Sequence, residues 1–371
     1  MSLLYITADK IGDQSGGGLV TAQELTALQA FAQQRLQSTK NPDYSAVINL
    51  NRTNLINDQL EPWKWDRQAL WALGHYRQIP KLAHIYSGTF GETVKYLKNG
   101  NCKVVYTVAA HDKEVSKREH EKLGWLFPYE HLTKPKLWQR YIEGYRLADV
   151  IVCPSTVAAN TVRNYGPEFA TKDIRIIPHG CLLPKEIKPL PKSLVVGYLG
   201  SFGADKGIRY LLEAWKQLNY SDGSLLLLGG KDSATPMAKY LLEKYGGGNV
   251  HLAGWYENTS DFYNSISLFA CPAATEGFNC EVTEAAAHGR PVICSDGAGA
   301  VDFIDAWSGI GAVGNKVRAC DAEHLAKLIH SAKEQQSLLP EMGIKAKERA
   351  ELYTWDKVRR QYQDLWAEVL G

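Results

Sequence analysis

Two glutamates and one lysine stand out in the second half of the chain, where packing alone has no use for a charge. Glu276 and Glu284 bracket seven residues in EGFNCEVTE, which follows an apolar run and enters a predicted helix. Lys206 follows another apolar run, within the glycine-rich stretch GYLGSFGADKG. An ammonium group and helix-end amides together suit a phosphate oxygen. The pattern therefore predicts an anion site with carboxylates on two sides, although solvated surface charges explain each residue taken singly.

The start of the predicted helix supplies the amides for this site. A helix is predicted over 280–288, with Asn279 as its N-cap, because Asn at this position accepts bonds from unpaired amides. The exposed amides of Gly277, Phe278 and Asn279 are expected to form an anion site at the positive end of the helix.

Two loops in the first half carry further candidates. Gly16, Gly17 and Gly18 follow the first apolar run and open into a helix, so their backbone can approach a ligand closely. His111 and Asp112 follow the apolar run KVVYTV. A flexible loop and an ordinary surface histidine are the alternative explanations.

Short apolar runs alternate with longer amphipathic stretches along the whole chain. The runs are apolar at consecutive positions, which is typical of strands covered on both faces in a parallel sheet. The sequence predicts two doubly wound α/β domains, in which ligands bind beyond the carboxyl ends of the strands. The predicted strands are LLYIT, AVINL, AHIYS, KVVYTV, DVIVCPS and DIRIIPHG in the first half, then LVVGYLG, SLLLLGG, NVHLAGW, SLFACPA and RPVICSD.

The length of 371 residues also favours two domains. A boundary is predicted where Pro178, Pro184, Pro189 and Pro191 exclude regular structure. We predict a first domain over 1–180, a linker over 181–193, a second domain over 194–351 and a terminal amphipathic helix over 352–371.

Composition limits the remaining classes of function. The formal charge of +2, from 42 Lys+Arg and 40 Asp+Glu, gives no electrostatic case for binding nucleic acid. The seven cysteines include no C-x-x-C pair, which favours buried thiols in a cytoplasmic protein over disulfides or a zinc site. No stretch is long and apolar enough for a signal peptide or a membrane span.

Taken together, these residues resemble glycosyltransferase family 4, the retaining enzymes with the GT-B fold of two Rossmann-like domains facing a central cleft. The most specific match is EGFNCEVTE with the following EAAAHGRPVICSD. Supporting matches are the triple glycine, His111 with Asp112, ADVIVCPS, IIPHG, the Lys206–Gly207 unit and the terminal YTWDKV. The resemblance implies that the first domain binds the acceptor, that the second binds the nucleotide sugar, and that the terminal helix crosses back onto the first domain.

The resemblance implies a role for each candidate. Glu284 would accept hydrogen bonds from the ribose of a UDP-, GDP- or ADP-sugar, and Lys206 with the amides after Glu276 would neutralise the diphosphate without a metal or a cofactor. Glu276 would contact the sugar or its oxocarbenium-like transition state. His111 would approach the C6 hydroxyl of the sugar, and the loop of Gly16 to Gly18 would close over the diphosphate and the acceptor.

One position departs from the family pattern. Ser201 stands where the family usually has an arginine, and serine donates one neutral hydrogen bond in place of a charged fork. Either Arg209 or Lys231 is expected to compensate, or the diphosphate is held more weakly.

The resulting prediction is a cytoplasmic, metal-independent retaining hexosyltransferase that acts on a glycan, lipid-linked or small-molecule hydroxyl. The basic and aromatic stretch 117–146 is compatible with a peripheral contact on the inner membrane face, but also with a helix pair that buries its aromatic side. Two other classes stay open, a nucleotide-sugar 2-epimerase and a non-catalytic sugar-nucleotide-binding module.

Overall fold

The computed structural model describes residues 3–7, 16–38, 45–49, 63–75, 78–86, 90–108, 112–125, 135–230, 236–305 and 314–371. The chain divides into two compact units. The first unit contains residues 1–110, 126–179 and 355–371, and the second contains 111–125 and 180–354.

Strands and helices alternate through both units, as the apolar runs predict. The strands are β1 (Leu3–Thr7), β2 (Ser45–Asn49), β3 (Leu82–Tyr86), β4 (Lys103–Thr107), β5 (Val150–Cys153), β6 (Asp173–Ile176), β7 (Val195–Leu199), β8 (Leu225–Gly229), β9 (Val250–Gly254), β10 (Leu268–Cys271), β11 (Val292–Ser295) and β12 (Gly314–Val317). The helices are α1 (Gly16–Ser38), α2 (Trp63–Leu73), α3 (Gly91–Asn99), α4 (Lys113–Leu123), α5 (Pro135–Leu147), α6 (Thr156–Arg163), α7 (Ile208–Leu218), α8 (Pro236–Tyr245), α9 (Thr259–Asn264), α10 (Cys280–Ala287), α11 (Val301–Asp305), α12 (Ala322–Glu334), α13 (Leu339–Ala350) and α14 (Trp355–Leu370).

Each unit is built on a parallel sheet. The first sheet has the order β2-β1-β3-β4-β5-β6 and the second the order β12-β11-β10-β7-β8-β9. The second order is that of the dinucleotide-binding Rossmann fold, and its direction reverses between β7 and β10. Ligands of such sheets bind at that reversal, outside the carboxyl ends of the two strands. The predicted class of two doubly wound units is confirmed.

Both faces of each sheet are buried, and this explains why the strands are apolar at consecutive positions. Side chains alternate across a strand. On β7, Val196 and Tyr198 therefore enter one hydrophobic core, while Val195 and Leu199 pack against the other. The first sheet is covered in the same way.

Every strand that we predicted is present, but β12 was missed. Its sequence GNKV places exposed Asn315 and Lys316 between two buried ends. Among the described strands β12 is at the edge of the sheet, next to β11, so it lacks the continuous apolar pattern of the central strands.

The observed partition differs from the predicted domains at two segments. Helix α4 lies in the predicted first domain but groups with the second unit, where Leu123 joins the hydrophobic core. The proline-rich segment also groups with the second unit, where the backbone of Cys181 forms an isolated parallel β-bridge with that of Thr354. The terminal helix α14 groups with the first unit, and its Trp366 is fully buried there.

All seven cysteines are free thiols, and five of them are buried. Within the described ranges, no helix combines the length and the apolar character needed to cross a membrane.

Candidate functional site

The loops that leave β7 and β10 are joined at the point where the strand order reverses. The amides of Ala274 and Thr275 both donate to the carbonyl of Asp205, at 2.8 and 3.4 Å. Gly207, with φ of 72°, closes the 3-10 turn before α7, and a Cβ atom there would lie 2.0 Å from the carbonyl oxygen of Pro272. Only glycine combines this left-handed conformation with so close a contact. The two loops therefore hold their functional side chains in one place.

Lys206 and Glu276 meet at this junction. The Lys206 ammonium forms an ion pair with Oε2 of Glu276, and the two side chains are 25% and 23% exposed. The second carboxylate oxygen, Oε1, accepts from the amide of Gly277 at 3.1 Å. The structure thus brings together the cation and the first carboxylate that the sequence singled out.

The backbone around Glu276 is fixed by the segment that follows β11. The Glu276 amide donates to the carbonyl of Gly297 at 2.9 Å, and the Glu276 carbonyl accepts from the amide of Gly299 at 3.0 Å. The Ala300 amide donates to the carbonyl of Phe278 at 2.6 Å. Because these hydrogen bonds hold the backbone on both sides of the residue, the Glu276 carboxylate is held in position before any ligand arrives.

The start of α10 corrects two predictions. Asn279 precedes the helix, but it is left-handed, with φ of 80° and ψ of 85°, and its side chain makes no cap bond. Its buried Oδ1 has no hydrogen-bond partner within the described part of the chain. Gly277 and Phe278 are buried, so their amides are not exposed as expected. Because the first turn receives no cap from Asn279, the positive end of the helix lacks the side-chain acceptor that usually covers it.

Glu284 lies just over one turn into α10 and contacts a different part of the unit. Its Oε2 accepts from the hydroxyl of Tyr263 on α9 at 2.8 Å. Burial and the neighbouring Glu281 raise the pKa of Glu284 to about 7, although the hydrogen bond from Tyr263 opposes the shift. The two glutamates of the motif therefore have separate partners, a cation for Glu276 and a phenol for Glu284.

Helix α4 approaches the same loop from within the second unit. The Asp112 amide donates to Oγ1 of Thr275 at 2.7 Å, next to Glu276 in sequence, while the Asp112 carboxylate caps α4. Farther along α4, Glu119 accepts from the hydroxyl of Tyr210 at 2.7 Å. His111, the residue that the resemblance assigns to the sugar, lies outside the described residues.

Compensation for Ser201 by Arg209 or Lys231 stays a prediction, because the structure describes only the first of these two cations. Arg209 donates to Glu213 at 2.9 Å, and its guanidinium lies 4.9 Å from the ring centre of Tyr245. Lys231 lies outside the described residues. Ser201 is exposed, and its carbonyl accepts from the hydroxyl of Tyr198 at 2.6 Å.

The triple glycine differs from its expected form. Gly16, Gly17 and Gly18 form the first turn of α1 in the first unit, and they are not a loop. Their predicted contact with the donor and the acceptor stays a prediction.

Only part of the stretch 117–146 lies within the described ranges. Trp125 packs near Tyr240 in the second unit, and the ring of Trp138 meets that of Tyr165 at 4.9 Å in the first unit. These contacts favour the buried aromatic side over a membrane surface for the two tryptophans.

Two contributors were not predicted from the sequence. Tyr263 lies in SDFYNSIS, where two adjacent aromatic residues indicate only packing in a core. Thr275 precedes the motif and looks like an ordinary loop residue. Their partners, Glu284 and Asp112, are remote in sequence, so spacing alone gives no signal for either contact.

The fold of the chain is found in other solved structures. The structure matches sucrose-phosphate synthase from Thermosynechococcus elongatus with a TM-score of 0.76 at 20% identity, over 99% of each chain. It also matches Anabaena HepE, solved in complex with UDP-glucose, with a TM-score of 0.66 at 16% identity, over 99% of this chain and 100% of that one. The fold is therefore that of the GT-B glycosyltransferases, as predicted; the central cleft and the retaining class stay predictions.

Sequence comparison points to the second unit in particular. Residues 193–334 match the family model described as Glycosyl transferases group 1. The capsular polysaccharide biosynthesis glycosyltransferase CapM of Staphylococcus aureus is 28% identical over 194 residues, which are 50% of this chain and 50% of that protein. The chain thus spans half or less of the length of the first named relatives that it matches.

Proposed function

We propose that this protein is a retaining, metal-independent glycosyltransferase that moves a hexose from a nucleotide-diphosphate sugar to a hydroxyl acceptor. The observation that carries the proposal is the ion pair of Lys206 and Glu276 at the strand-order reversal of a Rossmann-like sheet. The match of residues 193–334 to the glycosyltransferase model supports the reaction class. The UDP-glucose complex of HepE supports a UDP-sugar as the first donor to try.

In the ion pair, Glu276 neutralises the charge of Lys206, and a bound donor can replace Glu276 as the partner of the lysine. A diphosphate offers Lys206 a stronger anionic partner than one carboxylate, and it gains from the uncapped positive end of α10. Glu276 is then released to accept hydrogen bonds from the sugar, or to face the positive charge that develops as the bond to the diphosphate breaks. Lys206 and the helix end remain on the leaving diphosphate, in the part that a metal ion plays elsewhere.

The acceptor is proposed from the relatives and from the family resemblance. CapM is named for capsular polysaccharide biosynthesis. We assign this protein a glycan, polysaccharide or lipid-linked hydroxyl, approached in the cytoplasm. A peripheral membrane contact through 117–146 belongs to the same proposal.

A panel of UDP-, GDP- and ADP-sugars in a thermal-shift assay tests donor binding, because a ligand that binds only the folded state raises the melting temperature. Incubation with the stabilising donor then separates the classes. Released nucleotide with a new glycoside is expected for a transferase, an altered sugar for an epimerase, and binding without turnover for a binding module. Stabilisation by none of the donors would contradict the proposal.

Glu276→Ala tests the sugar-side role. We expect nucleotide release from the donor to fall by roughly 100-fold or more, because the residue acts on the transition state, while nucleotide affinity stays within a few fold. Glu323→Ala removes an exposed carboxylate that pairs with Lys327 on α12, and serves as the control. A Glu276→Ala rate close to that of the wild type would show that Glu276 takes no part in the reaction.

A further inference from the structure

The carboxylate proposed to bind the ribose already holds one hydroxyl of the protein. We propose that Tyr263 is the positioning residue of Glu284: its hydroxyl binds Oε2 and leaves Oε1 for the ribose hydroxyls of the donor. The 2.8 Å hydrogen bond from Tyr263 is the contact on which this inference is built. The inference rests on the proposed function, because it needs a nucleotide with its ribose at Glu284.

The ring of Tyr263 is held so that its hydroxyl has little freedom to move. Tyr263 is fully buried, and its ring centre lies 4.9 Å from that of His288 and 6.0 Å from that of Phe269. The Tyr263 carbonyl accepts from Nε of the buried Arg290 at 2.6 Å. A tyrosine fixed at both its ring and its backbone presents its hydroxyl at a defined point.

A second connection joins α9 and α10 beside the first. Nδ1 of His288 lies 2.7 Å from the carbonyl oxygen of Glu284, and Nε2 lies 2.9 Å from Oγ of Ser260 on α9. Hydrogen bonds therefore connect both the backbone and the side chain of Glu284 to α9. A carboxylate fixed before binding loses less side-chain entropy when the ligand arrives.

The alternative is that the hydroxyl of Tyr263 only needs an acceptor because it is buried. The two roles predict different ligand dependence. If the bond only stabilises the unit, its loss weakens every nucleotide equally. If the bond positions Glu284, its loss weakens only ligands that carry the ribose hydroxyls.

The test compares Tyr263→Phe with the wild type by calorimetry. The probes are whichever of UDP, GDP and ADP stabilises the wild type most, and its 2′,3′-dideoxy counterpart. We expect Tyr263→Phe to bind the natural nucleotide about tenfold more weakly, the effect of one hydrogen bond to a charged group, and the dideoxy nucleotide within about twofold of the wild type. Tyr220→Phe is the matched control, since it removes a hydroxyl that lies 3.1 Å from Nδ1 of His330, and both affinities should stay unchanged.

The outcomes separate this inference from the proposed function. An equal loss for both nucleotides in Tyr263→Phe would overturn the positioning role while leaving the donor site intact. If the wild type binds the natural and the dideoxy nucleotide equally, Glu284 does not bind the ribose hydroxyls, and the inference is wrong. A wild type that binds none of the nucleotides would overturn the proposed function itself.

A double-mutant comparison tests whether Tyr263 acts through Glu284. Glu284→Gln and the double variant are titrated with the same two nucleotides. Because a positioning residue acts only through its partner, Tyr263→Phe should add no more than about twofold to the loss in Glu284→Gln. Independent, multiplicative losses would contradict the inference.

Discussion

At the scale of single residues, the site consists of two carboxylates in different electrostatic surroundings. Glu276 faces the ammonium of Lys206 and the amide of Gly277. Glu284 is surrounded by Tyr263 and Glu281, and burial disfavours its charge. This difference suits a charged partner for one glutamate and neutral hydroxyls for the other.

Lys206→Ala tests the phosphate side. We expect the affinity for UDP-glucose to fall roughly 10- to 100-fold, the effect of a charge-assisted hydrogen bond, while the weak binding of uridine is unchanged because uridine has no phosphate. Calorimetry with both ligands measures the difference. Lys216→Ala, an exposed position on α7, is the control. Equal losses for UDP-glucose and uridine would contradict the assignment.

Glu284 should make stability depend on pH. Burial first, and then Glu281, raise the pKa of Glu284 to about 7 in the folded state, so the folded state disfavours the ionised form. The other titratable groups that face it are Tyr263, Cys280 and Cys181. The free energy of unfolding therefore contains a contribution that is full below about pH 4.5 and is lost as the pH rises toward 7.

Glu284→Gln removes this contribution. Relative to the wild type, the variant should gain up to about 3 kcal/mol in the free energy of unfolding between pH 5 and pH 8. Urea unfolding at several pH values measures the change. Parallel pH profiles for the two proteins would show that Glu284 titrates normally.

At the scale of elements, the site depends on two loops that leave adjacent strands. The loop after β10 is bonded to Asp205 in the loop after β7, and Gly207 permits their close approach. The helix α10 contributes its uncapped start, and α9 contributes Tyr263.

Gly207→Ala tests the junction of the loops. The new methyl group would meet the carbonyl of Pro272 in a left-handed backbone, so we expect a loss above about 3 kcal/mol in the free energy of unfolding. Gly223→Ala is the matched control, because φ is 84° but the nearest atom, Oγ of Ser193, is 3.6 Å away. That control should lose only about 1 kcal/mol. Similar losses in urea unfolding for both variants would mean that the loops can separate.

At the scale of the whole molecule, the C-terminal end of the chain completes the first unit. Helix α14 returns to the first sheet, where Nε1 of Trp366 donates to Nδ1 of His84 at 3.0 Å. Nε2 of His84 lies 2.8 Å from Oγ1 of Thr107 on β4. A buried polar network thus joins the last helix to the central strands.

His84 should make the first unit sensitive to acid. Burial lowers the pKa of His84 to about 3, and the titratable groups around it are Glu24, Tyr5 and Tyr362. Because the folded state disfavours the protonated ring, its stability is full above about pH 6.5 and is lost as the pH falls toward 3.

In wild-type protein, His84 takes up a proton on unfolding at acidic pH, and the His84→Gln variant has no such group at this position. We expect the variant to lose stability less steeply than the wild type between pH 6 and pH 4, by roughly 1 kcal/mol for each pH unit. Urea unfolding of the full chain at both pH values measures the slopes. Identical slopes would place the acid sensitivity in other groups.

The sequence by itself determined the elements and the motif. Strands buried on both faces need apolar residues at consecutive positions, so the central strands were readable one by one. The edge strand β12 was not, because Asn315 and Lys316 are exposed. The spacing of Glu276 and Glu284 around the start of α10 was also readable, since it is local.

Only the tertiary structure decided which groups meet. Helix α4 follows β4 in the chain, yet its Leu123 packs in the second unit. The pairing of Glu276 with Lys206, and of Glu284 with Tyr263, joins segments that are remote in sequence. Hydrophobic periodicity indicates which face of a helix or strand is buried. The partner of a polar group is instead set by how loops from different strands come together in space.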